Sequence, residues 1–506
     1  MTPTPRLLPL LACLAFLDPG LRGADAAAPP VVGAEWGQVL RESRTALSLQ
    51  VVVNPLLRRG SPIHAAAFQA VADLGADHVR FVPWLPYPRL AVAALEPFDG
   101  QRTSWDFSLL DPLMEDFMRA SGGRPVMACF STIPAWLFMT ERPVAYPRDP
   151  DEVTWTYTQG TELRPGGLQE LGEYYARVAG WYLAGGFVDE AGRRHESGLR
   201  YRVSHWEVFN EPDLEHQMTP RQYTERYDAV VEAVRRVAPD LKFVGLSLAL
   251  PSLHPEMFEH FLNPANHRPG IPLDMISYHF YALVDQEQTA EHWQYTFFDQ
   301  ADRFVATARY IDAIRRRLSP ATQVALNEIG TILPGDREAR TRDSRADPDI
   351  PAEYWNASGA LFAYIFIETA KLGIEVVSVS QLVGFPTQYP SVTMVDWHTG
   401  EPNARFTVLR LLHEHFRPGD RLVPTPSREK YPNVHAQGFV TPRGRKLLLV
   451  NKRFRDCPVR LPAPVAGGTL ETIDTRTGAR VARTERWSGD TLVLGPFAVA
   501  VLSLPD

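Results

Sequence analysis

Between residues 45 and 416 the sequence alternates between short apolar runs and amphipathic segments, and the alternation occurs eight times. The apolar runs have the length and composition of buried strands, whereas the amphipathic segments have the apolar spacing of helices. Such a repeat predicts an α/β protein whose eight parallel strands close into a (β/α)8 TIM barrel. The predicted strands are residues 45–53, 78–82, 125–130, the run before Asn210, 241–246, 274–279, 323–328 and 376–381.

Beyond residue 418 the helical spacing stops, and short strand-like runs follow at 436–441, 446–451, 459–461, 469–474 and 491–504. Turn sequences at 442–444 and 477–478 separate some of these runs. We therefore predict a catalytic barrel over residues 45–416 and an accessory β-sandwich over 419–506, with 29–44 as a candidate addition to it.

The beginning of the chain is typical of an exported protein. An apolar segment at 7–17 follows Arg6, and the small residues Ala24 and Ala26 lie where a signal peptidase would cut. We predict a cleaved signal over 1–26 and a secreted or periplasmic protein, with a lipoprotein anchor at Cys13 as the alternative. No later apolar run is long enough for a membrane span. A net charge of -7 argues against a nucleic-acid partner, and the oligomeric state stays open.

Two of the predicted strands end in an Asn-Glu pair. The fourth strand ends in Asn210 and Glu211, and the seventh ends in Asn327 and Glu328. Because the carboxyl ends of all barrel strands meet at one face, both glutamates are expected there. Two carboxyl groups at one site are what a retaining glycosidase needs, one as proton donor and one as nucleophile. The competing interpretation is that both are ordinary acids at helix starts.

The segment 206–213, Trp-Glu-Val-Phe-Asn-Glu-Pro-Asp, resembles glycoside hydrolase family 39 of clan A, which includes β-xylosidases and α-L-iduronidases. Residues 130–137, 274–281 and 396–403 agree with this resemblance, as does an appended β-sandwich. The resemblance implies that Glu211 is the acid/base and Glu328 the nucleophile. It also implies that Asn210 hydrogen-bonds the 2-hydroxyl of the sugar.

Three further charged or amide groups bear on these roles. Arg80 on the second strand is predicted to keep Glu328 ionised, against the alternative of a purely structural ion pair. Glu207 is predicted to be a buried partner for a basic group. Because Asn210 and Glu211 are adjacent, a bulge or twist is needed to turn both toward the substrate.

Aromatic and histidine candidates lie after other strands. His279 and Tyr281 are candidates for orienting the nucleophile or lining the sugar site, although a core histidine is a competing interpretation. Trp136, Tyr278 and Trp397 are candidates for stacking on a sugar face, against simple rim packing. Many clan members place a tryptophan on the eighth strand, where this chain has Ser-Val-Ser-Gln-Leu at 378–382.

The sequence thus predicts a retaining glycoside hydrolase that acts on an oligo- or polysaccharide and needs no metal or organic cofactor. The alternatives are an endo-acting or uronic-acid-specific hydrolase, a transglycosylase and a catalytically silent carbohydrate-binding barrel. The loop at 334–349 carries Arg337, Arg340, Arg342 and Arg345. It is a candidate lid or carboxylate-binding segment, or simply a solvated loop.

Overall fold

The computed structural model describes residues 28–142, 144–155, 157, 160–285, 287–336, 348–427, 429, 432–479 and 481–505. The predicted signal at 1–26 and the four arginines between 337 and 345 lie outside these residues. None of the helices in the described ranges combines the length and the apolarity needed to span a bilayer.

Eight parallel strands close the predicted barrel. They are β2 (Ala46–Val52), β3 (His78–Val82), β4 (Val126–Ala128), β7 (His205–Glu207), β8 (Lys242–Leu248), β9 (Met275–Leu283), β10 (Gln323–Ile332) and β11 (Val376–Val379). Strand β11 pairs with β2, which completes the ring. The prediction of a TIM barrel is therefore confirmed, since every strand forms at its predicted place in the chain.

Helices surround the barrel and follow the strands. They are α1 (His64–Leu74), α2 (Asp111–Ser121), α3 (Gly167–Leu183), α4 (Pro220–Arg235), α5 (Pro255–Phe261), α6 (Ala290–Leu318), α7 (Ala352–Leu372) and α8 (Ala404–His415). Helix α4 begins as its sequence dictates, with Thr219 capping the Gln222 amide and Pro220 in the first turn. A hairpin of β5 (Gly186–Val188) and β6 (Arg194–Glu196) follows α3.

A second, antiparallel sheet has seven strands in the order β1-β12-β13-β14-β17-β15-β16. They are β1 (Arg41–Glu42), β12 (Arg421–Val423), β13 (Val434–Thr441), β14 (Gly444–Asn451), β15 (Cys457–Ile473), β16 (Arg483–Leu494) and β17 (Val499–Ser503). The predicted runs 459–461 and 469–474 form one long strand, β15. The predicted run 491–504 is divided by Gly495 and Pro496, because proline cannot donate to a strand ladder.

This sheet separates two cores. On β14, Leu448 and Val450 belong to the large core that continues into the barrel, whereas Leu447 and Leu449 belong to a smaller core. The bulged hairpin of β15 and β16 supplies more of the smaller core, including Cys457, Val459, Leu492 and Leu494. One face of this sheet therefore packs on the barrel, and the β15–β16 hairpin helps to cover the other face.

Candidate active site

Breaks in strand alternation bring the two glutamates to the same face of the barrel. In β10 the register shifts between Leu326 and Glu328. After β7, Phe209 and Glu211 have φ angles of 69° and 42°, in the left-handed region that non-glycine residues rarely adopt. These turns direct consecutive side chains inward, as the sequence required of Asn210 and Glu211. Backbone strain of this kind is characteristic of functional sites.

Strand β8 shows a third break of the same kind. Its register shifts between Leu246 and Leu248, and Leu246 and Ser247 have φ angles of 76° and 50°. The shift places the Ser247 hydroxyl 3.0 Å from Nε2 of His279 and 3.2 Å from Nη2 of Arg80. Ser247 is thus a site residue that the sequence did not predict, since strand parity alone gives no sign of a bulge.

The glutamates open into a cavity of about 530 Å³ at the carboxyl ends of the strands. One donor atom from each of Glu211, His279 and Glu328 lies within 4.8 Å of the other two. The cavity is lined by Gln50, Val52, Val82, Trp84, Asn210, Glu211, Leu214, Ala249, Leu250, Tyr281, Leu283, Glu328, Ile332, Ser380, Gln381, Tyr389 and Val392. Four of the seven site residues predicted from the sequence, Asn210, Glu211, Tyr281 and Glu328, therefore line one cavity.

His279 is buried between the two carboxyl groups. Its Nδ1 lies at hydrogen-bond distance, 2.8 Å, from Oε1 of Glu211, and 3.5 Å from Oε2 of Glu328. Burial alone would lower the pKa of His279, but the Glu328 carboxylate and the hydrogen bond to Glu211 raise it above its usual value. This histidine is therefore in direct contact with both glutamates rather than being an isolated core residue.

Arg80 lies beneath the cavity and is 1% exposed. Its guanidinium donates to Glu328 at 2.6 Å, to Glu207 at 2.6 Å and to Oδ1 of Asn210 at 2.7 Å. The predicted ion pair with Glu328 and the predicted basic partner for Glu207 are the same residue. Because its donors are engaged by protein groups, Arg80 holds the side chains of Glu328 and Asn210 from below the cavity.

The two glutamates have opposite pKa shifts. Burial raises the pKa of Glu211, and the nearby Glu328 carboxylate adds to this effect, whereas the hydrogen bond from His279 reduces it. Burial would also raise the pKa of Glu328, but His279, Arg80 and the hydroxyl of Tyr281 outweigh it and lower the pKa. Tyr281 donates to Glu328 at 2.7 Å. Such a divergence is typical of an acid and a nucleophile that share one site.

Glu215 is a third carboxyl group near the site, and the sequence did not predict it. Its Oε1 accepts from the Trp84 indole at 2.7 Å and from Nδ2 of Asn210 at 3.0 Å. Burial raises the pKa of Glu215 well above its usual range, and neighbouring Glu211 raises it further. Asn210 is thereby fixed from both ends, by Arg80 at its oxygen and Glu215 at its nitrogen. Trp84, which lines the cavity, is fixed by the same carboxyl group.

The three predicted sugar-stacking aromatics do not line this cavity. The Trp136 indole donates to the Ala94 carbonyl at 2.9 Å, and the Arg164 guanidinium covers its ring. Tyr278 is buried against Phe258 and Phe304. Trp397 packs at the edge of the large core. In the structure these aromatic side chains pack against neighbouring elements, and their stacking on a sugar stays a prediction.

Among the described residues, one group of side chains is close enough together to ligate a metal ion, namely Glu211, His279 and Glu328. Arg80 and Tyr281 already donate to the two oxygens of Glu328. A cation at this place would compete with both of these hydrogen bonds. The donor set fits a hydrogen-bonded acid pair better than a metal centre.

Two segments match known protein families. Residues 193–324 match the model of glycosyl hydrolases family 39. This segment includes Glu211 and ends before Glu328. Residues 432–502 match the C-terminal immunoglobulin-like domain of D-apionate lactonase. No curated protein matches the chain.

Several solved structures share the fold over 94% of the chain. The GH51 arabinofuranosidase from Xanthomonas axonopodis pv. citri is 14% identical with a TM-score of 0.62, and 99% of it is covered. The GH39 β-xylosidase from Caulobacter crescentus is 14% identical with a TM-score of 0.59, and all of it is covered. The GH30 endoxylanase from Clostridium papyrosolvens C71 is 13% identical with a TM-score of 0.56, again over its whole length. At these identities the likeness concerns the fold.

The barrel, the paired glutamates at its carboxyl face and the family match define a glycoside hydrolase of the clan A type. Within that class the chain is similar to family 39, through the segment that carries Asn210 and Glu211.

Proposed function

We propose that the protein hydrolyses glycosides with retention of configuration, through a double displacement. The observation that carries this proposal is the separation of the catalytic groups, since a carboxylate oxygen of Glu211 lies within 4.8 Å of one of Glu328. Retaining glycosidases hold their two carboxyl groups about 5–5.5 Å apart, whereas inverting enzymes need about 6.5–9.5 Å to admit a water molecule. A pair this close favours the retaining arrangement over the inverting one.

In the first step, Glu328 attacks the anomeric carbon as the bond from that carbon to the leaving oxygen breaks. Glu211 gives its proton to the leaving oxygen, and a covalent glycosyl-enzyme remains. In the second step, Glu211 takes a proton from water, whose oxygen displaces Glu328. Asn210 reaches the same cavity, and its Nδ2 group is proposed to donate to the sugar's 2-hydroxyl.

The pKa shifts fit this sequence of steps. Burial and the negative charge of Glu328 raise the pKa of Glu211, which favours the protonated acid in the free enzyme. When Glu328 becomes an ester, its charge disappears, and the pKa of Glu211 should fall. The same residue is then suited to act as a base.

We propose a neutral sugar as the substrate. Apart from Glu211 and Glu328, the side chains that line the cavity are uncharged, and Glu215 lies directly behind Asn210. A uronic acid would bring a further negative charge to these groups. A uronic-acid substrate stays the alternative, with the arginine-rich segment as its candidate partner, and endo action and transglycosylation use the same residues. We also propose export, on the sequence of residues 1–26 alone.

The test is hydrolysis of nitrophenyl glycosides of xylose, glucose, galactose, arabinose and iduronic acid. Wild type is compared with Glu328→Ala, Glu211→Ala and, as a matched control, Glu225→Ala on the exposed face of α4. We expect turnover of a neutral sugar, its loss in Glu328→Ala, and recovery when azide attacks the anomeric carbon to give a glycosyl azide of inverted configuration. Glu211→Ala should lose about 10²–10⁴-fold in kcat/KM on substrates with poor leaving groups.

If Glu211→Ala rather than Glu328→Ala gave the glycosyl azide of inverted configuration, the roles of acid/base and nucleophile would be exchanged between the two residues. A wild-type product of inverted configuration would refute the double displacement. Inactivity on every glycoside and on polysaccharides, in a protein with native circular dichroism, would favour the carbohydrate-binding alternative.

A further inference from the structure

Four exposed leucines lie at the strand ends on one side of the cavity, and we call them the leucine rim. They are Leu214, Leu250, Leu253 and Leu283, with exposed fractions of 54%, 41%, 66% and 43%. Among the described residues, only one other leucine is an exposed large apolar side chain, Leu40. Three of the four line the catalytic cavity. Exposed apolar side chains collected at one place indicate a binding surface.

The rim is fastened to the turn that carries Glu211. The Leu214 amide donates to the Glu211 carbonyl at 2.9 Å. The Leu250 amide donates to the Asp213 carboxylate at 2.9 Å, and the Leu253 amide donates to the Leu250 carbonyl at 3.0 Å. These hydrogen bonds, two to carbonyl groups and one to a carboxylate, fix the backbone of the leucines beside the proposed acid.

Leu283 extends the rim along the end of β9. Its amide donates to Oε1 of Gln300 at 3.0 Å, and its carbonyl accepts from Nε2 of the same side chain at 2.7 Å. This pair of bonds anchors the strand end to α6. The rim therefore spans the ends of three consecutive barrel strands, β7, β8 and β9.

The cavity has a different character near β2 and β11. There the lining includes the amides of Gln50 and Gln381 and the hydroxyl of Ser380, beside the apolar side chains of Val52 and Val392. The Ser380 hydroxyl lies 2.7 Å from the Tyr281 hydroxyl, which also donates to Glu328. The β2 and β11 side thus offers polar groups suited to sugar hydroxyls, which the leucine rim does not.

We infer that the leaving group of the natural substrate is apolar, an alkyl or aryl group rather than another sugar. This inference rests on the proposed function. An acid that protonates the glycosidic oxygen must lie beside the leaving group, and Leu214 and Leu250 are fixed beside Glu211. Covering them with an apolar group removes hydrocarbon surface from water, which a fully hydroxylated leaving group does less well.

The test compares methyl, butyl and octyl glycosides of the sugar that the nitrophenyl panel identifies, below the concentration at which micelles form. The bond that breaks joins the sugar to an alkyl oxygen throughout, so the apolar length is the main variable. We expect kcat/KM to rise with chain length, by up to about fourfold for each methylene group that the rim buries.

Leu250→Asn and Leu283→Asn should each lower the octyl-to-methyl ratio of kcat/KM by about threefold to sevenfold, because 41% and 43% of these side chains are free to be covered. Leu40→Asn is the matched control, since Leu40 is 54% exposed outside the cavity lining. It should leave the ratio unchanged.

Three results would overturn the inference while leaving the proposed function intact. They are equal kcat/KM values along the alkyl series, an unchanged ratio in both rim variants, and a disaccharide of the same sugar that exceeds the octyl glycoside. The last would make the rim a second sugar subsite. Inactivity on the whole nitrophenyl panel and on every alkyl glycoside would instead refute the exo-glycosidase function and the inference with it.

Discussion

Arg80→Met should destabilise the protein in a manner that depends on pH. The guanidinium is 1% exposed and lies 2.6 Å from both Glu207 and Glu328. Methionine keeps much of the volume but leaves two buried carboxyl groups without their cation. Removing one partner of a buried ion pair costs about 3–5 kcal/mol, mostly because the remaining charge is uncompensated. We expect a loss of free energy of unfolding of at least this size at pH 7.

The loss should shrink in acid, because buried carboxyl groups without a cation bind protons. One group that binds a proton in the folded variant but not in the unfolded chain changes the free energy of unfolding by about 1.4 kcal/mol per pH unit. In the wild type, the lowered pKa of Glu328 provides stability that is present above the unfolded pKa and is lost as pH falls through the folded pKa. Both effects make the difference in free energy of unfolding between the wild type and Arg80→Met smallest near pH 4 and larger toward pH 7.

Urea unfolding measured by tryptophan fluorescence and by circular dichroism, between pH 4.5 and 8, would give these differences. Arg303→Met, at an ion pair that is 71% exposed on the arginine side, is the matched control and should cost less than about 1 kcal/mol. The double variant Arg80→Met/Glu207→Gln should recover part of the loss. A loss of equal size at every pH would refute the electrostatic reasoning and assign the effect to packing.

The pH dependence of kcat/KM should be bell-shaped, with an acidic limb below the usual glutamate pKa from Glu328 and a basic limb above it from Glu211. Tyr281→Phe should move the acidic limb to higher pH, because it removes a hydrogen bond that lowers the pKa of Glu328; an unmoved limb contradicts this contact. Glu215→Leu should lower kcat/KM by about 10- to 100-fold by releasing the Asn210 amide. Glu215→Gln keeps an acceptor oxygen and should retain most of the wild-type kcat/KM. Equal losses in the two variants would count against a role of Glu215 in positioning Asn210. Gly172→Val should lower the free energy of unfolding by about 1–3 kcal/mol in a urea titration, because its Cβ would lie 2.6 Å from a backbone oxygen of α4. Gly37→Val, with open space around it, is the control that should not.

The sequence predicted the barrel and the two glutamates because both follow from local patterns. Strand and helix periods alternate strongly, and a polar pair at the end of an apolar run marks the carboxyl face. Arg80 was also predictable, since one arginine among the apolar residues of β3 can only point into the barrel with a partner.

Side chains from distant loops were not predictable in the same way. Trp84 and Glu215 meet across 131 residues through one hydrogen bond, and no periodicity in either segment signals it. Trp136 looked similar to Trp84 in the sequence, as an aromatic after a barrel strand. Its ring instead lies under Arg164, because the packing of the loops determines the orientation of each aromatic side chain.

Strand β1 precedes the barrel, yet it pairs with β12, which follows the barrel by sequence. The whole barrel therefore lies in the sequence between Arg41 and its partner Leu422. Contacts across so long a stretch carry a loop-closure cost and are associated with slower folding. The second sheet thus joins the segment before the barrel to the domain that follows it. A chain cut between the barrel and β12 would leave β1 without its partner strand and would remove Leu448 and Val450 of β14 from the core that they share with the barrel.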